Sequence, residues 1–211
     1  RDILSRWIKD APNYVECEIS VPALKTSEST ADGFDFSSGS WSKGTTLPSF
    51  KLTRGGRSMD KTATKTVVFS DGEAFNIAFD VRKRGKLRLR RTEDAGEYPV
   101  GDRGEVAIAL NGTYYQFALG AGGDSFASKA LEGKFAGEWS VRTKVVPGGW
   151  RAVVRIPFAS VGFRPVADPT VRFMASVTYS HGNARSQGLT YSLGGASPHT
   201  PKTWSELRVE Y

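Results

Sequence analysis

Along Gly149-Trp150-Arg151-Ala152-Val153-Val154-Arg155-Ile156-Pro157, Trp150, Ala152, Val154 and Ile156 fall on one side of an extended chain, and Arg151 and Arg155 fall on the other. That two-residue period marks a half-buried strand. Pro157 offers no ladder donor, so the strand must end there or lie on an edge. Strand-like runs recur at Tyr14 to Ser20, Ser49 to Thr53, Thr64 to Ser70, Ala74 to Val81, Lys86 to Arg90, Glu105 to Leu110 and Tyr114 to Leu119. They continue at Trp139 to Val146, Gly149 to Ile156, Val171 to Ser180, Leu189 to Leu193 and Glu206 to Tyr211. Turns rich in Gly, Asp, Asn, Ser and Pro separate them, and no amphipathic helix competes. Two hairpins are specified by turn dipeptides that tolerate positive φ, Asp71-Gly72 and Asn111-Gly112. The pattern predicts an all-β fold, an antiparallel two-sheet β-sandwich of jelly-roll-like form.

A chain of 211 residues suits one sandwich, and 12 Phe, 7 Tyr and 5 Trp supply a core between two sheets. We expect residues 1–12 to be a tail or linker and 13–211 a single domain, with 26–48 a long Ser/Thr/Gly/Asp-rich connection. The chain opens at Arg1 and is expected to be a processed piece of a longer protein. No apolar run approaches the length of a membrane span, and no partner membrane is expected. The lone Cys17 suits a small apolar strand position and forms no intrachain disulfide. A formal charge of +7 favours anionic partners.

The order of several motifs resembles the family 9 carbohydrate-binding modules, within the wider group of DOMON-like β-sandwiches. The motifs are Ala31-Asp32-Gly33 ahead of Trp41, the hairpin Thr66 to Phe79, Gly101-Asp102-Arg103-Gly104-Glu105 to Ile108, and Tyr114-Tyr115-Gln116-Phe117. The strand Gly149 to Phe158, Phe173 opening the next strand, and the closing pattern of His199, Pro201 and Trp204 complete the series, from about Glu18 to Tyr211. The resemblance implies sugar held in a slot between two tryptophans, helped by an acid, a glutamine, an arginine and asparagines. The acid matches Glu105 and the glutamine Gln116. The arginine and asparagine after the Gln-Phe pair stand here as Ala118 and Gly120. The polar positions after Phe173 are Met174 and Ser176. One tryptophan falls at Pro198 or His199, and the other is replaced by Tyr98 or Pro99.

An aromatic ring binds the C–H face of a pyranose while polar groups take its hydroxyls. Tyr98, Tyr114, His199 and Trp204 are candidates, whereas Trp150 shares a face with Val154 and Ile156 and belongs to the core. Glu105 opens a strand and is open to three readings: a sugar-hydroxyl acceptor, a solvated strand-end charge, or a partner of Arg103. In the run Arg82 to Arg91, alternation would put Leu87 and Leu89 on one face and Lys86, Arg88 and Arg90 on the other. Arg88 and Arg90 would then grip sulfate or carboxylate, or simply protect a charged edge strand. The run lacks interleaved aromatics, so nucleic acid is not an expected partner.

No His/Cys cluster has zinc-ligand spacing. No cofactor is required, although calcium on loop carboxylates such as Asp32, Asp35 or Asp71 is compatible with the sequence. A glycanase needs two facing carboxylates. Glu16 and Glu18 have strand spacing but lie at the domain's edge, and no nucleophile elbow occurs. The expectation is a non-catalytic module that binds polysaccharide, including acidic or sulfated polymers, beside the catalytic domain of a secreted bacterial carbohydrate-processing protein. The alternative is a structural module that packs on that domain without binding sugar.

Overall fold

The computed structural model describes residues 18–24, 33–53, 64–83, 85–89, 97–130, 133–180, 188–197 and 199–210. Two sheets face each other. The larger runs in the order β1 (Glu18–Pro22), β13 (Ser205–Glu210), β11 (Thr170–Ser180), β6 (Arg103–Leu110), β7 (Thr113–Gly120) and β8 (Ser125–Lys129). Two further strands, β12 (Gly188–Ser192) and then β3 (Lys51–Leu52), extend it beyond one end of β11. The smaller sheet runs β2 (Thr45–Thr46), β4 (Thr64–Ser70), β5 (Ala74–Arg82), β10 (Gly149–Pro157) and β9 (Ser140–Val146). Among the described residues, helical structure is limited to single turns, including α1 (Gly39–Lys43) and α2 (Phe158–Val161).

The two-residue period of β10 is realised as expected: Trp150, Ala152, Val154 and Ile156 are all fully buried between the sheets. Opposite them lie Phe117 and Phe173 of the larger sheet, with Phe75 and Phe79 from the neighbouring strand β5. Burying a side chain of this size contributes roughly 1.5–3 kcal/mol, so this layer is the principal driving force for closing the sandwich. β10 is central, paired with β5 and β9, and it stops at Pro157, where α2 begins.

Both predicted hairpins form, joining β4 to β5 and β6 to β7. At the second turn Asn111 and Gly112 have φ of 51° and 78°, the left-handed pair that matches the twist of the flanking strands. One pairing departs from the expected antiparallel order. β1 runs parallel to β13, with Ile19 opposite Leu207 and Val21 opposite Val209.

Two sequence expectations need correction. Residues 85–89 form no strand. Arg88 donates its backbone N–H to Asp102 Oδ2, and its carbonyl accepts from the Asp102 N–H, so Asp102, not a ladder, satisfies this segment. Leu87 packs on the core while Leu89 is 44% exposed, so the alternation that would make a basic stripe is absent. Arg90 lies outside the described residues, as do residues 14–17 of the first expected strand. Conversely, β8 was not anticipated. Its sequence Ser-Phe-Ala-Ser-Lys turns the small Ala127 inward and the large Phe126 outward, which inverts the usual hydrophobic signal.

A cleft on the outer face of the larger sheet

Strand pleating sends Gly104, Val106 and Ile108 of β6 into the core and Arg103, Glu105 and Ala107 to the outer face. The register carries this choice sideways. Phe126, Ala118, Glu105, Ser176 and Ser192 form one cross-strand row over β8, β7, β6, β11 and β12. Ser128, Gln116, Ala107 and Met174 form the next, and Arg103, Thr178 and Thr190 border the row on its other side.

Above these rows opens a cleft of about 600 Å³. Its walls include Tyr98, Arg103, Glu105, Gln116, Phe126 and His199. Tyr98 and Phe126 meet edge to face with ring centroids 5.6 Å apart, forming an aromatic corner. The Arg103 guanidinium lies over the Tyr98 ring at 5.2 Å, and its Nη1 donates to the Gly101 carbonyl at 3.4 Å. At the base Gln116 Nε2 donates to Glu105 Oε2 at 3.0 Å. Arg103 Nε stands 3.9 Å from Glu105 Oε1, at the outer limit of ion pairing. Glu105 is 4% exposed. Burial lifts its carboxyl from 4.5 to about 7, against the Gln116 hydrogen bond, which pulls it down. Burial also lowers the Arg103 pKa, against the attraction of Asp102.

Asp102, adjacent to this wall, holds its loops in place. Its carboxylate is fully buried and receives Lys83 Nζ on both oxygens at 2.8 Å, with the backbone N–H groups of Arg88 and Ser180 on Oδ2 and Oδ1. A buried carboxylate is tolerated when its charge is paired and its oxygens are hydrogen-bonded. Asp102 thereby joins the loop after β5 to the end of β11 and fixes the start of β6, where Arg103 and Glu105 project.

The structure therefore brings Tyr98, Glu105, Gln116 and His199 to one cleft. It separates the other candidates from them. Trp204 is fully buried: its Nε1 donates to the Ser197 carbonyl at 2.8 Å, and its ring packs with Ala107, Met174 and Ala196 and edge-on to Tyr114. It supports the sheet's outer face and offers no platform. Arg88 is exposed on the loop pinned by Asp102 and does not line the cleft. Arg103, Phe126, Ser128, Lys134 and Thr190 also line the cleft and were not chosen from the sequence as binding residues. Arg103 could have been found by the two-residue period from Glu105, whereas Phe126 sits on the unanticipated strand.

The positions where the family resemblance led us to expect arginine and asparagine have a local explanation. Ala118 is fully buried beside Glu105 and Phe126 in the row. At Gly120 a Cβ would stand 1.9 Å from Asp124 Oδ1, so a side chain there would require the Asp124 carboxylate to move. The guanidinium comes instead from Arg103 on the adjacent strand.

Of the loop carboxylates considered for calcium, Asp35 accepts hydrogen bonds from Ser37 and Ser38, and Asp71 accepts from Glu73 N, Ala74 N and Arg155. Asp32 lies outside the described residues. Among the described residues, no three His, Cys, Asp or Glu side chains gather as a metal site.

A family 9 carbohydrate-binding module from Caldicellulosiruptor kristjanssonii in complex with glucose superposes with a TM-score of 0.62, over 92% of this chain and 96% of that one, at 13% identity. The fold is that of the family 9 carbohydrate-binding modules. The same organism's family 9 module in complex with cellotriose gives a TM-score of 0.58 at 14% identity, covering 92% of this chain and 94% of that one. A candidate carbohydrate-binding protein from Bacteroides uniformis gives 0.65 at 14% identity, covering 93% of this chain and all of the other. No protein-family profile and no curated protein matches the sequence. The family 9 fold is thus shared at sequence identities where side chains at individual positions are free to differ, as Ala118 and Gly120 do.

Proposed function

We propose that this chain is a non-catalytic carbohydrate-binding module that takes a glycan in the cleft over β6, β7 and β8. The observation that carries the reading is the convergence of Tyr98, Glu105, Gln116 and His199 with Phe126 and Arg103 on one cleft in a family 9 fold. Tyr98 and Phe126 supply apolar faces for the C–H side of a sugar ring, and Gln116, Ser128 and Thr190 supply donors and acceptors for its hydroxyls. Among the described residues, the cleft lining contains one carboxylate, Glu105, where carboxylate-paired glycoside hydrolysis needs two. In this reading the module serves a secreted bacterial polysaccharide-processing protein, holding glycan near an adjacent catalytic domain and raising its local concentration. It needs no cofactor for that task. The charge of +7 favours acidic or sulfated polymers.

Affinity electrophoresis against neutral, uronic and sulfated polysaccharides, with calcium and with chelator, tests the proposal. Retardation by at least one polymer, lost in Tyr98→Ala and in Gln116→Ala, is expected, and chelator should leave it unchanged. A folded chain retarded by none of them would refute glycan binding and leave the structural role of packing on a catalytic domain.

A further inference from the structure

The anionic preference read from the sequence was placed on Arg88 and Arg90, but the charge that faces the cleft is a different one. Among the described residues, Lys134 and Arg103 line it together with one carboxylate, the buried Glu105. Arg103 is held but not neutralised. Its guanidinium is fixed against the Tyr98 ring, Nη1 is directed to a backbone carbonyl, and Nε donates to the Tyr98 hydroxyl at 3.4 Å while standing 3.9 Å from Glu105 Oε1, too far for a hydrogen bond. None of these contacts uses Nη2. Burial holds the Glu105 proton up to about pH 7, so in mildly acidic water this carboxyl does little to cancel the Arg103 charge. A cation against apolar walls attracts an anion more strongly than the same cation in open solvent. A guanidinium stacked on an aromatic ring is also pre-organised, so little side-chain freedom remains to be lost when it binds.

We infer that Arg103 is the specificity-determining residue of the cleft and selects a sugar residue bearing an anionic substituent, a carboxylate or a sulfate ester. This rests on the glycan-binding reading above. The ring of such a sugar would lie in the Tyr98 and Phe126 corner. Its anionic group would take a charge-assisted hydrogen bond from Arg103, with Lys134 adding a second, more mobile charge from the rim. Gln116, Ser128 and Thr190 would take the hydroxyls. The outer face of the smaller sheet also carries cations, Arg142 and Lys144, but they flank the Phe34 ring at 5.7 Å each and line no part of this cleft. They provide the control for diffuse charge.

The test is calorimetric titration of the chain with three probes at pH 6: an oligogalacturonate, a sulfated galactan oligosaccharide and a cello-oligosaccharide of equal length. Each is titrated at low and at moderate salt. At least one anionic probe should bind roughly tenfold or more tightly than the neutral one at low salt, and which of them does so identifies carboxylate or sulfate as the group received. Arg103→Gln should remove that advantage, so that the anionic and neutral probes bind alike. Arg103→Lys, which keeps the charge without the fork, should retain only part of it. Arg142→Gln with Lys144→Gln should leave the advantage intact. Thermal melts confirm that each variant is folded. Equal affinity for charged and neutral probes, or a preference that survives Arg103→Gln and disappears with the Arg142 and Lys144 changes, overturns the assignment but not the glycan-binding reading. Failure of all three probes to bind counts against both, and binding of a neutral polymer in electrophoresis would then rescue only the broader reading.

Discussion

Replacing Glu105 with glutamine should change how stability depends on pH. The carboxyl is 4% exposed, and burial raises it from 4.5 to about 7. At about 1.4 kcal/mol for each pH unit, that lift corresponds to about 3 kcal/mol of disfavoured ionisation in the folded chain. Below about pH 4.5 the group is protonated in both folded and unfolded states and costs nothing. As pH rises from there to about 7, the unfolded chain releases this proton while the folded chain keeps it, so stability falls. Above about pH 7 the group is ionised in both states and the full cost remains. Glutamine has the same shape, can still accept the Gln116 hydrogen bond through its own carbonyl, and carries no charge. Glu105→Gln should therefore match the wild type within about 0.5 kcal/mol near pH 4.5 and exceed it by about 3 kcal/mol at pH 8. For a domain of this size that difference is a rise in Tm of roughly 6–12 °C. Urea denaturation of both proteins at pH 4.5, 6, 7 and 8 measures it, and subtracting the two curves cancels groups common to both. Parallel curves across that range would show instead that Glu105 titrates alike in the folded and unfolded states.

Asp102→Ala leaves Lys83 Nζ and two backbone N–H groups without their acceptor and should destabilise the chain by about 3–5 kcal/mol in equilibrium denaturation; a cost below about 1 kcal/mol would contradict its place as the hub of these loops. Trp204→Phe removes the bond to the Ser197 carbonyl and should cost about 1–3 kcal/mol, yet leave glycan affinity unchanged by titration, since the ring is buried beneath the cleft's neighbouring surface. Gly112→Val forces a β-branched residue to φ of 78° and should cost about 1–2 kcal/mol, read from the same denaturation curves, with no effect on binding.

The sandwich was legible because most strands obey the two-residue period with a buried face, as β10 does from Trp150 to Ile156 and β5 from Phe75 to Val81. Turn chemistry fixed two registers in advance, and register decides which side chains share a face. Glu105 and Gln116 of the cleft were legible from the family resemblance, and they meet because Asn111-Gly112 pairs the strands that carry them. The remainder depends on tertiary context. Phe126 faces outward on a strand of small and polar residues, so hydrophobicity pointed the wrong way. The basic run near Arg88 imitates a strand in sequence, but one buried carboxylate 14 residues later captures its backbone. Trp204 carries the composition of a sugar platform, and only the packing of Met174 and Ala107 around it reveals a core role.

In the proposed function, glycan enters the cleft walled by Tyr98, Arg103, Glu105, Gln116 and Phe126. Amide chemical-shift mapping of the isotope-labelled chain, during titration with whichever glycan retards it in electrophoresis, locates the contact directly. The largest shifts are expected on β6, β7 and β8 around these residues and Ser128. Shifts gathered instead on β9 around Arg142 and Lys144, or on the loop around Arg88, would exclude this cleft as the glycan site.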